Sequence, residues 1–370
     1  MRVLGFMTGT SLDAVDMAVL DTDGEAILGF GPAGERKLSE HVRELLLEAT
    51  AQALKWRRDT PEPLIFEDAR AAVAVEHINA AEAFLGEHGL GWADLDLIGV
   101  HGQTVLHERP EGGRPGRSVQ LIDPERVARR ARRPVVWDFR GADVAAGGEG
   151  APLTPAYHMA RARQAGLQPP LAVLNLGGVA NFTMIDRSGA PLAFDTGPGN
   201  GMIDLLVQQR GEGRYDEGGQ LAAAGTVDRV VLASLLDHSF FSAPPPKSLD
   251  RYDFPISALD ALTTPDACAT LVAFTAEAAR RGFAFAVDRP QAVIVCGGGR
   301  HNPELMLALQ ASLPVPVSGA EVFGWRGDAV EAEAIAYLAA RAVRGLPTSF
   351  PSTTGVREPV CGGRVVQPPR

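Results

Sequence analysis

Length, composition and charge predict a globular chain and exclude several classes of protein. The chain has 370 residues, 45% of them apolar and 22% charged, which is enough for two domains with buried cores. A formal charge of −10 and a pI near 5.4 argue against partners such as nucleic acids or anionic membranes. No apolar run is long enough for a membrane span, and the first residues do not resemble a signal peptide. Cys268, Cys296 and Cys361 lack metal-ligand spacing, so we expect reduced thiols in a cytoplasmic protein.

A polar turn follows the first predicted strand. Residues 3–7 predict an apolar strand, residues 8–11 a turn, and residues 15–30 two further strands of a meander. The turn combines small hydroxyl side chains with a glycine, and Asp13 and Asp16 follow it. Such groups suit phosphate oxygens and a hydrated metal ion, although an ordinary hairpin turn would have a similar sequence. A Walker A loop is excluded because no Gly-Lys-Ser/Thr sequence is present.

The next predicted strand ends in a histidine and a glutamine. Residues 40–53 and 66–86 have helical spacing, and residues 97–100 predict the strand. His101 and Gln103 lie at its C-terminal end, where α/β sheets bind ligands. We expect both side chains to hydrogen-bond a ligand, with a histidine satisfied inside its own turn as the alternative.

A further strand, predicted at residues 134–137, also ends in charged side chains. Asp138, Arg140 and Asp143 follow it, and a glycine cluster occupies residues 147–152. Arg140 is suited to bidentate binding of a carboxylate or phosphate. The alternative is a structural ion pair between Arg140 and one of the two aspartates.

The opening pattern returns in the second half of the chain. Residues 171–176, 182–186 and 191–194 predict three strands, with a glycine turn at residues 177–181. The order of strand, glycine turn, strand, turn and strand repeats that of residues 3–30. This repeat predicts two related lobes, each with a glycine turn directed at a ligand cleft between them.

A carboxylate at the end of the third strand is the main catalytic candidate. Asp195 is followed by Gly197, Gly199 and Gly201, and a helix is predicted from Asn200. A glycine turn at a helix N-terminus can hold an anion beside a base. The same pattern is also typical of a helix-capping loop in which Asp195 only accepts backbone hydrogen bonds.

Another glycine turn follows a buried strand near the C-terminal end. Residues 292–296 predict the strand, and the three glycines at 297–299 would let adenine and ribose lie against bare backbone. A last helix is predicted at residues 328–342, with Glu331 near its start. The proline-rich segment 244–247 is interpreted as a rigid surface break.

Seven of these motifs, in this order, resemble the anhydro-N-acetylmuramic acid kinase family. The similarity runs from residue 3 to about residue 342, and the motifs are residues 7–13, 101–104, 138–140, 147–152, 175–181, 195–200 and 296–302. The resemblance implies the α/β, two-lobed fold of the sugar kinase, Hsp70 and actin superfamily, which is a duplicated ribonuclease H-like fold. We expect lobe I at residues 1–134, with part of 335–370 packing back on it, and lobe II at 135–334. The chain beyond residue 345 is predicted to be irregular.

The resemblance also implies an activity. ATP would phosphorylate O6 of 1,6-anhydro-N-acetylmuramic acid while water opens the anhydro bridge, giving N-acetylmuramic acid 6-phosphate and ADP in peptidoglycan recycling. Asp195 would be the catalytic base, and Mg²⁺ would be bound mainly through ATP and water, near Asp13 or Asp16. The family also implies a cytoplasmic homodimer.

The resemblance assigns the remaining candidates to two groups. Residues implied in ATP binding are Gly9, Thr10, Ser11, Leu12, Asp13, Ala14, Val15, Asp16, Gly177, Gly178, Asn181, Gly197, Gly199, Asn200, Gly297, Gly298, Gly299 and Asn302. Candidate sugar contacts are His101, Gln103, Asp138, Arg140, Asp143 and Glu331.

Three positions depart from the family pattern. Thr8 stands for a usual Ser, Ala14 for a Gly and Glu149 for a Gln. Ala14 would resist a positive φ in the phosphate turn, and Glu149 would add negative charge near an anionic sugar.

Alternative functions are another sugar kinase of the superfamily, a nucleotide-independent glycoside hydrolase and a non-catalytic sensor.

Overall fold

The computed structural model describes residues 1–9, 12–249 and 254–369. Contacts divide the chain into two compact units. Unit 1 consists of Met1–Gln164 and Glu331–Arg370, and unit 2 consists of Ala165–Val330.

Twelve strands and twelve α-helices are present in the described part of the chain, with short 3₁₀ turns between several of them. The strands are β1 (Arg2–Thr8), β2 (Ala14–Thr22), β3 (Ile27–Lys37), β4 (Leu97–Glu108), β5 (Arg117–Leu121), β6 (Val135–Trp137), β7 (Leu171–Leu176), β8 (Val179–Ile185), β9 (Pro191–Pro198), β10 (Val293–Cys296), β11 (Val317–Gly319) and β12 (Arg364–Val366). The helices are α1 (Glu40–Ala53), α2 (Ile65–Glu87), α3 (Pro124–Ala131), α4 (Gly141–Ala145), α5 (Pro155–Gln164), α6 (Gly201–Gln209), α7 (Gln220–Ala224), α8 (Arg229–Leu236), α9 (Thr264–Phe283), α10 (Pro303–Ser312), α11 (Val330–Val343) and α12 (Pro351–Thr354).

The sheet of unit 1 has the order β12-β6-β4-β1-β2-β3, and β5 pairs with β4. β1, β2 and β3 form an antiparallel meander, whereas β4 pairs in parallel with β1 and β6 pairs in parallel with β4. The middle parts of two inner strands, residues 3–6 of β1 and 17–20 of β2, lack polar side chains and are buried, as expected for strands that are covered on both faces.

The sheet of unit 2 repeats this topology with the order β11-β10-β7-β8-β9. β7, β8 and β9 form the antiparallel meander, β10 pairs in parallel with β7, and β11 pairs in parallel with β10. The duplicated α/β architecture predicted from the repeated strand and glycine-turn pattern is therefore confirmed.

The division between the units lies later in the chain than residue 134. β6 follows that boundary, yet Val135 pairs with Ile98 of β4 in the sheet of unit 1. Residues 331–370 also belong to unit 1. Two glycines allow α11 to pack closely on this sheet, because a β-carbon on Gly5 would lie 2.0 Å from the Ala332 carbonyl oxygen and one on Gly99 2.8 Å from that of Ile335.

The C-terminal segment is more regular than the sequence predicted. α12 forms a short helix, and β12 pairs antiparallel with β6. Ser349, which precedes α12, and Val360, which follows it, form an isolated antiparallel bridge. The prediction of an irregular tail beyond residue 345 is therefore wrong for these parts.

Two further predictions concern thiols and membranes. All three cysteines are thiols rather than disulfides in the structure. Among the described residues, none of the helices combines the length and apolar character that a bilayer crossing requires.

Candidate active site

Asp195 lies near the end of β9 and is held on two sides by one segment of unit 2. Its side chain is buried, its backbone N–H donates to the Lys247 carbonyl at 2.9 Å, and its Oδ2 accepts from the Leu249 N–H at 2.7 Å. Asn181 on β8 lies directly opposite Asp195. These contacts fix the carboxylate in one orientation, which a general base requires.

The glycine turn between β7 and β8 packs against the loop that follows Asp195. The Gly178 carbonyl accepts from the Gly199 N–H at 3.1 Å, and the Gly177 carbonyl accepts from the Asn200 N–H at 2.9 Å. A β-carbon on Gly199 would lie only 2.1 Å from the Gly177 oxygen. Glycine at residue 199 is therefore needed for this close approach, which the sequence motif alone did not explain.

Two asparagines beside these turns have acceptor atoms available for a ligand. The Oδ1 atoms of Asn181 and Asn200 are buried and have no hydrogen-bond partner among the described residues. The Asn200 amide nitrogen donates to Asp204 at 2.8 Å, which fixes its side chain. Because orphaned buried acceptors are costly, a ligand that carries hydroxyl or water donors fits here.

The turn after β10 offers an open glycine surface. Gly297 has φ of 81°, and a β-carbon there would lie 2.5 Å from Oδ1 of Asn175. Gly298 has no atom within 4 Å of its β-carbon position, whereas a β-carbon on Gly299 would lie 2.8 Å from that of Leu176. Gly298 is thus the residue of this turn where a flat ligand could lie against bare backbone.

Asn302 and Arg300 stabilise this turn from within the protein. Asn302 is the N-cap of α10 and accepts from the Glu304 N–H at 3.0 Å, so its predicted nucleotide contact stays a prediction. Arg300 donates to the Gly297 carbonyl at 3.0 Å and pairs with Glu321 and Asp328, both at 2.6 Å. Burial lowers the pKa of Arg300, but hydrogen bonds to Asp328 and Glu321 raise it above its ordinary value. Arg300 lies within the motif at residues 296–302, but its stabilising role was not predicted, because Glu321 and Asp328 are distant in sequence.

The turn between β1 and β2 contains two candidates, Thr10 and Ser11, that lie outside the described residues. The Leu12 N–H donates to the Gly9 carbonyl at 3.2 Å, and Leu12 has φ of 58°. Ala14 instead begins the extended strand β2. The expected conflict therefore does not arise at Ala14, and among the described residues of this turn it is Leu12 that has a left-handed backbone.

His77 supports this turn and was missed by the sequence analysis. Its Nδ1 lies 2.8 Å from the Val73 carbonyl and its Nε2 lies 3.2 Å from Oγ1 of Thr8. Burial lowers the pKa of His77 to about 4, so the ring is neutral. Since Nδ1 must donate to the carbonyl, Nε2 accepts, and the Thr8 hydroxyl donates inward to His77. The lone pairs of the Thr8 hydroxyl oxygen remain as acceptors.

The acidic side chains near this turn differ in exposure. Asp13 is exposed and Asp16 is half-buried, whereas the Val15 side chain lies in the core. No cluster of three or more His, Cys, Asp or Glu side chains suited to a metal occurs in the described part of the chain. The Mg²⁺ contacts expected at Asp13 or Asp16 stay predictions.

His101 and Arg140 are brought together in unit 1. His101 Nε2 accepts from Nε of Arg140 at 3.0 Å, and its Nδ1 lies 2.8 Å from the Gly102 carbonyl. Arg140 also donates to the Gly150 carbonyl at 2.7 Å. Burial and the charge of Arg140 lower the pKa of His101 to about 3, so the ring is neutral and both nitrogens are used within the protein.

Asp143 binds the glycine loop and the C-terminal segment. Its Oδ1 accepts from the Gly150 N–H at 2.7 Å and its Oδ2 accepts from the Thr354 hydroxyl at 2.6 Å. The Glu149 N–H donates to the Thr354 carbonyl at 2.7 Å. Asp143 is fully buried, so these contacts give it a structural role, and the sugar contact expected for it stays a prediction.

The other three candidate sugar contacts differ in what they can offer. Gln103 is buried, and its Oε1 has no hydrogen-bond partner among the described residues. Asp138 has φ of 53° and accepts from the Gly141 N–H at 3.0 Å, and burial raises its pKa. Glu331 lies in the first turn of α11 and is half-buried. Gln103 is therefore the candidate most in need of an external donor.

The duplicated topology, with a buried carboxylate and a glycine turn after β10, defines a two-unit α/β protein of the sugar kinase, Hsp70 and actin class. The family model "Anhydro-N-acetylmuramic acid kinase" matches residues 1–368. Two relatives with that name are similar to the chain over its whole length. One, from Phenylobacterium zucineum (strain HLK1), is 66% identical and covers 100% of both chains. The other, from Caulobacter vibrioides (strain ATCC 19089 / CIP 103742 / CB 15), is 65% identical and covers 99% of both.

The chain belongs to the anhydro-N-acetylmuramic acid kinase family, and it is therefore a phosphotransferase. A solved structure, component A of the (R)-2-hydroxyglutaryl-CoA dehydratase of Acidaminococcus fermentans, is similar at a TM-score of 0.49 and 14% identity. The similar region covers 92% of this chain and 99% of the chain in that structure. That similarity is too low to support any conclusion about activity.

Proposed function

We propose that the enzyme uses ATP and water to convert 1,6-anhydro-N-acetylmuramic acid into N-acetylmuramic acid 6-phosphate and ADP. The observation that supports this best is Asp195, a buried carboxylate oriented by the Leu249 N–H beside two glycine turns. A base held in this way suits activation of a water molecule.

In the proposed reaction Asp195 accepts a proton from water while the water oxygen forms a bond to C1 of the sugar. The bond between C1 and O6 breaks, and O6 forms a bond to the γ-phosphorus of ATP. The bond between that phosphorus and the β,γ-bridging oxygen breaks, and ADP leaves. Bonds and charges balance without a second catalytic carboxylate, because phosphorus takes the electron pair that an acid would protonate in an ordinary glycosidase.

Nucleotide binding is assigned to the glycine turns. In unit 2 the turn at Gly177 would hold phosphate oxygens through backbone N–H groups, and Gly298 would lie under the adenosine. The loop at Gly199 donates its own N–H groups to this turn, so it would support the turn. In unit 1 the turn at Gly9 is assigned to phosphate binding as well. Asn181 and Asn200 would accept from water or hydroxyl donors of the ligand. Mg²⁺, when bound with ATP near Asp13 or Asp16, supplies neutralisation of phosphate charge.

Sugar binding is assigned to Arg140 and Gln103. His101 orients the Arg140 guanidinium, which suits the lactyl carboxylate of the sugar. Gln103 has a buried acceptor that suits a sugar hydroxyl or the acetamido N–H. Glu331 and Asp138 are further candidates for hydroxyl groups of the sugar.

Isotope labelling tests the reaction directly. In ¹⁸O-water the label should appear at C1 of the product, and ADP should be released only when the anhydro sugar is present. Asp195→Asn, which preserves shape and removes the base, should abolish turnover while ATP still binds. Unlabelled product, or ADP release that ignores the sugar, would contradict the proposal.

We also propose a cytoplasmic homodimer, which rests on the family resemblance alone. Light scattering coupled to gel filtration should give twice the chain mass of 39.1 kDa. A mass of one chain at micromolar concentration would contradict the dimer. Fractionation of cells should place the enzyme with cytoplasmic markers.

A further inference from the structure

Lys247 is buried next to the segment that holds the candidate base. Its Nζ donates to the Phe240 carbonyl at 2.7 Å and lies 4.4 Å from the centroid of the Phe240 ring. The ring centroids of Phe285 and Phe194 lie 5.2 and 6.0 Å from the same ammonium. Three aromatic rings and a carbonyl therefore surround a cation that is 7% exposed. The prediction of a surface break at residues 244–247 is wrong at this residue.

The backbone links this ammonium to Asp195. The Lys247 carbonyl accepts from the Asp195 N–H at 2.9 Å, and two residues later the Leu249 N–H donates to the Asp195 carboxylate at 2.7 Å. Phe194, whose ring faces the ammonium, precedes Asp195 on β9. The segment that carries the ammonium therefore bonds both the backbone and the carboxylate of Asp195.

Charge links the two residues as well. Burial lowers the pKa of Lys247 to about 8, while the Asp195 carboxylate acts in the opposite direction. The effect is reciprocal, so the ammonium favours the ionised form of the carboxylate. Among the described residues, Asp195 is the charged group that shifts the pKa of Lys247. The other groups that contact the ammonium are the three aromatic rings and the Phe240 carbonyl.

We propose that Lys247 is a positioning residue for the reaction: its ammonium, anchored among Phe194, Phe240 and Phe285, fixes residues 247–249 and keeps Asp195 ionised and correctly oriented. This inference rests on the proposed role of Asp195. Because a buried cation is costly unless it is well compensated, a purely structural anchor would be served as well by an apolar side chain. The presence of a charged side chain at residue 247 is explained by its effect on Asp195.

Three variants separate charge from packing. Lys247→Met keeps length and apolar contact, Lys247→Gln keeps a hydrogen-bond donor without charge, and Lys247→Arg keeps the charge. We expect kcat to fall between about ten- and a hundredfold in the Met and Gln variants, with little change in the KM for ATP. The acid limb of the kcat/KM profile should move to higher pH, and the Arg variant should retain more activity with an unmoved limb.

Lys55→Met is the matched control, because Lys55 is exposed; its kcat and pH profile should equal those of the parent enzyme. An unchanged kcat and acid limb in a folded Met variant would overturn the inference. If the Met variant does not fold, the same readouts on the Gln variant decide. Asp195→Asn in the same assays tests the proposed function separately. If the Asp195→Asn enzyme is active, Asp195 is not the base and the proposed function fails. If that enzyme is inactive but the Lys247→Met and Lys247→Gln enzymes behave like the parent, only the role of Lys247 is contradicted.

Discussion

His101 accepts a hydrogen bond from Arg140 through Nε2 and donates through Nδ1 to the Gly102 carbonyl. A neutral imidazole can do both at once in one tautomer only, so the proton position is fixed by these two contacts. The ring therefore orients the guanidinium, and the sugar contact expected for His101 itself stays a prediction. The Arg140 guanidinium also donates a hydrogen bond to the Gly150 carbonyl, which fixes it further.

The first prediction concerns this pair. His101→Phe removes the acceptor while keeping a flat ring, so the guanidinium loses one fixed contact. We expect the KM for the anhydro sugar to rise about tenfold, which corresponds to one hydrogen bond to a charged group, while the KM for ATP changes little. Steady-state kinetics with each substrate varied in turn measures both values.

His88→Phe provides the control for that change. His88 also bonds a backbone carbonyl, that of Phe84, but it is exposed at the end of α2. Its replacement should leave both KM values at those of the parent enzyme. Equal effects of the two substitutions, or a rise confined to the KM for ATP, would contradict the orienting role of His101.

The second prediction concerns the approach of two turns in unit 2. Gly199→Ala places a β-carbon 2.1 Å from the Gly177 oxygen, so one of the turns must move. We expect a loss of about 1–3 kcal/mol in the free energy of unfolding and a large fall in kcat, since the loop after Asp195 shifts. Urea denaturation and turnover assays measure the two effects.

Gly189→Ala is a useful comparison for the backbone cost alone. Gly189 has φ of 84° and no atom within 4 Å of its β-carbon position. Its replacement should cost stability through strain but leave turnover intact. Parent-like turnover in a folded Gly199→Ala enzyme would show that the close approach does not matter for catalysis.

The sequence predicted the strands and their chemistry better than the contacts between distant segments. The meanders were predictable because apolar runs and glycine turns are local signals. Asp195 directly follows such a run, and Arg140 lies three residues after one. Lys247 and Leu249 were not identified as neighbours of Asp195, because a contact between segments so far apart leaves no periodic signal. The same reason explains why Thr354 was not linked to Asp143.

The third prediction is a loss of stability in mild acid. Burial lowers the pKa of His77 to about 4, below the ordinary value of 6.5, so the unfolded chain binds the proton more tightly. The contribution of His77 is therefore complete above pH 6.5 and is lost as the pH falls from 6.5 towards 4. Between pH 7 and pH 5 this single group should reduce the free energy of unfolding by about 2 kcal/mol.

His77→Gln isolates that contribution. Urea denaturation should show that the free energy of unfolding falls about 2 kcal/mol less in this variant than in the parent between pH 7 and pH 5. His41→Gln, at an exposed site, should show the same fall as the parent. A variant at residue 77 whose stability still falls as steeply as that of the parent would contradict the assignment.

The last prediction tests the surface assigned to adenosine. Gly298 is exposed, no atom lies within 4 Å of its β-carbon position, and its φ is outside the left-handed region. Alanine therefore fits the protein, and the unfolding free energy of Gly298→Ala should match or slightly exceed that of the parent. A nucleotide lying on the bare backbone would meet the new methyl group, so the Kd for ATP should rise between about five- and a hundredfold. Titration calorimetry measures it, with Gly86→Ala, a site also free of neighbours within 4 Å, as the control. An unchanged Kd would place the adenosine elsewhere.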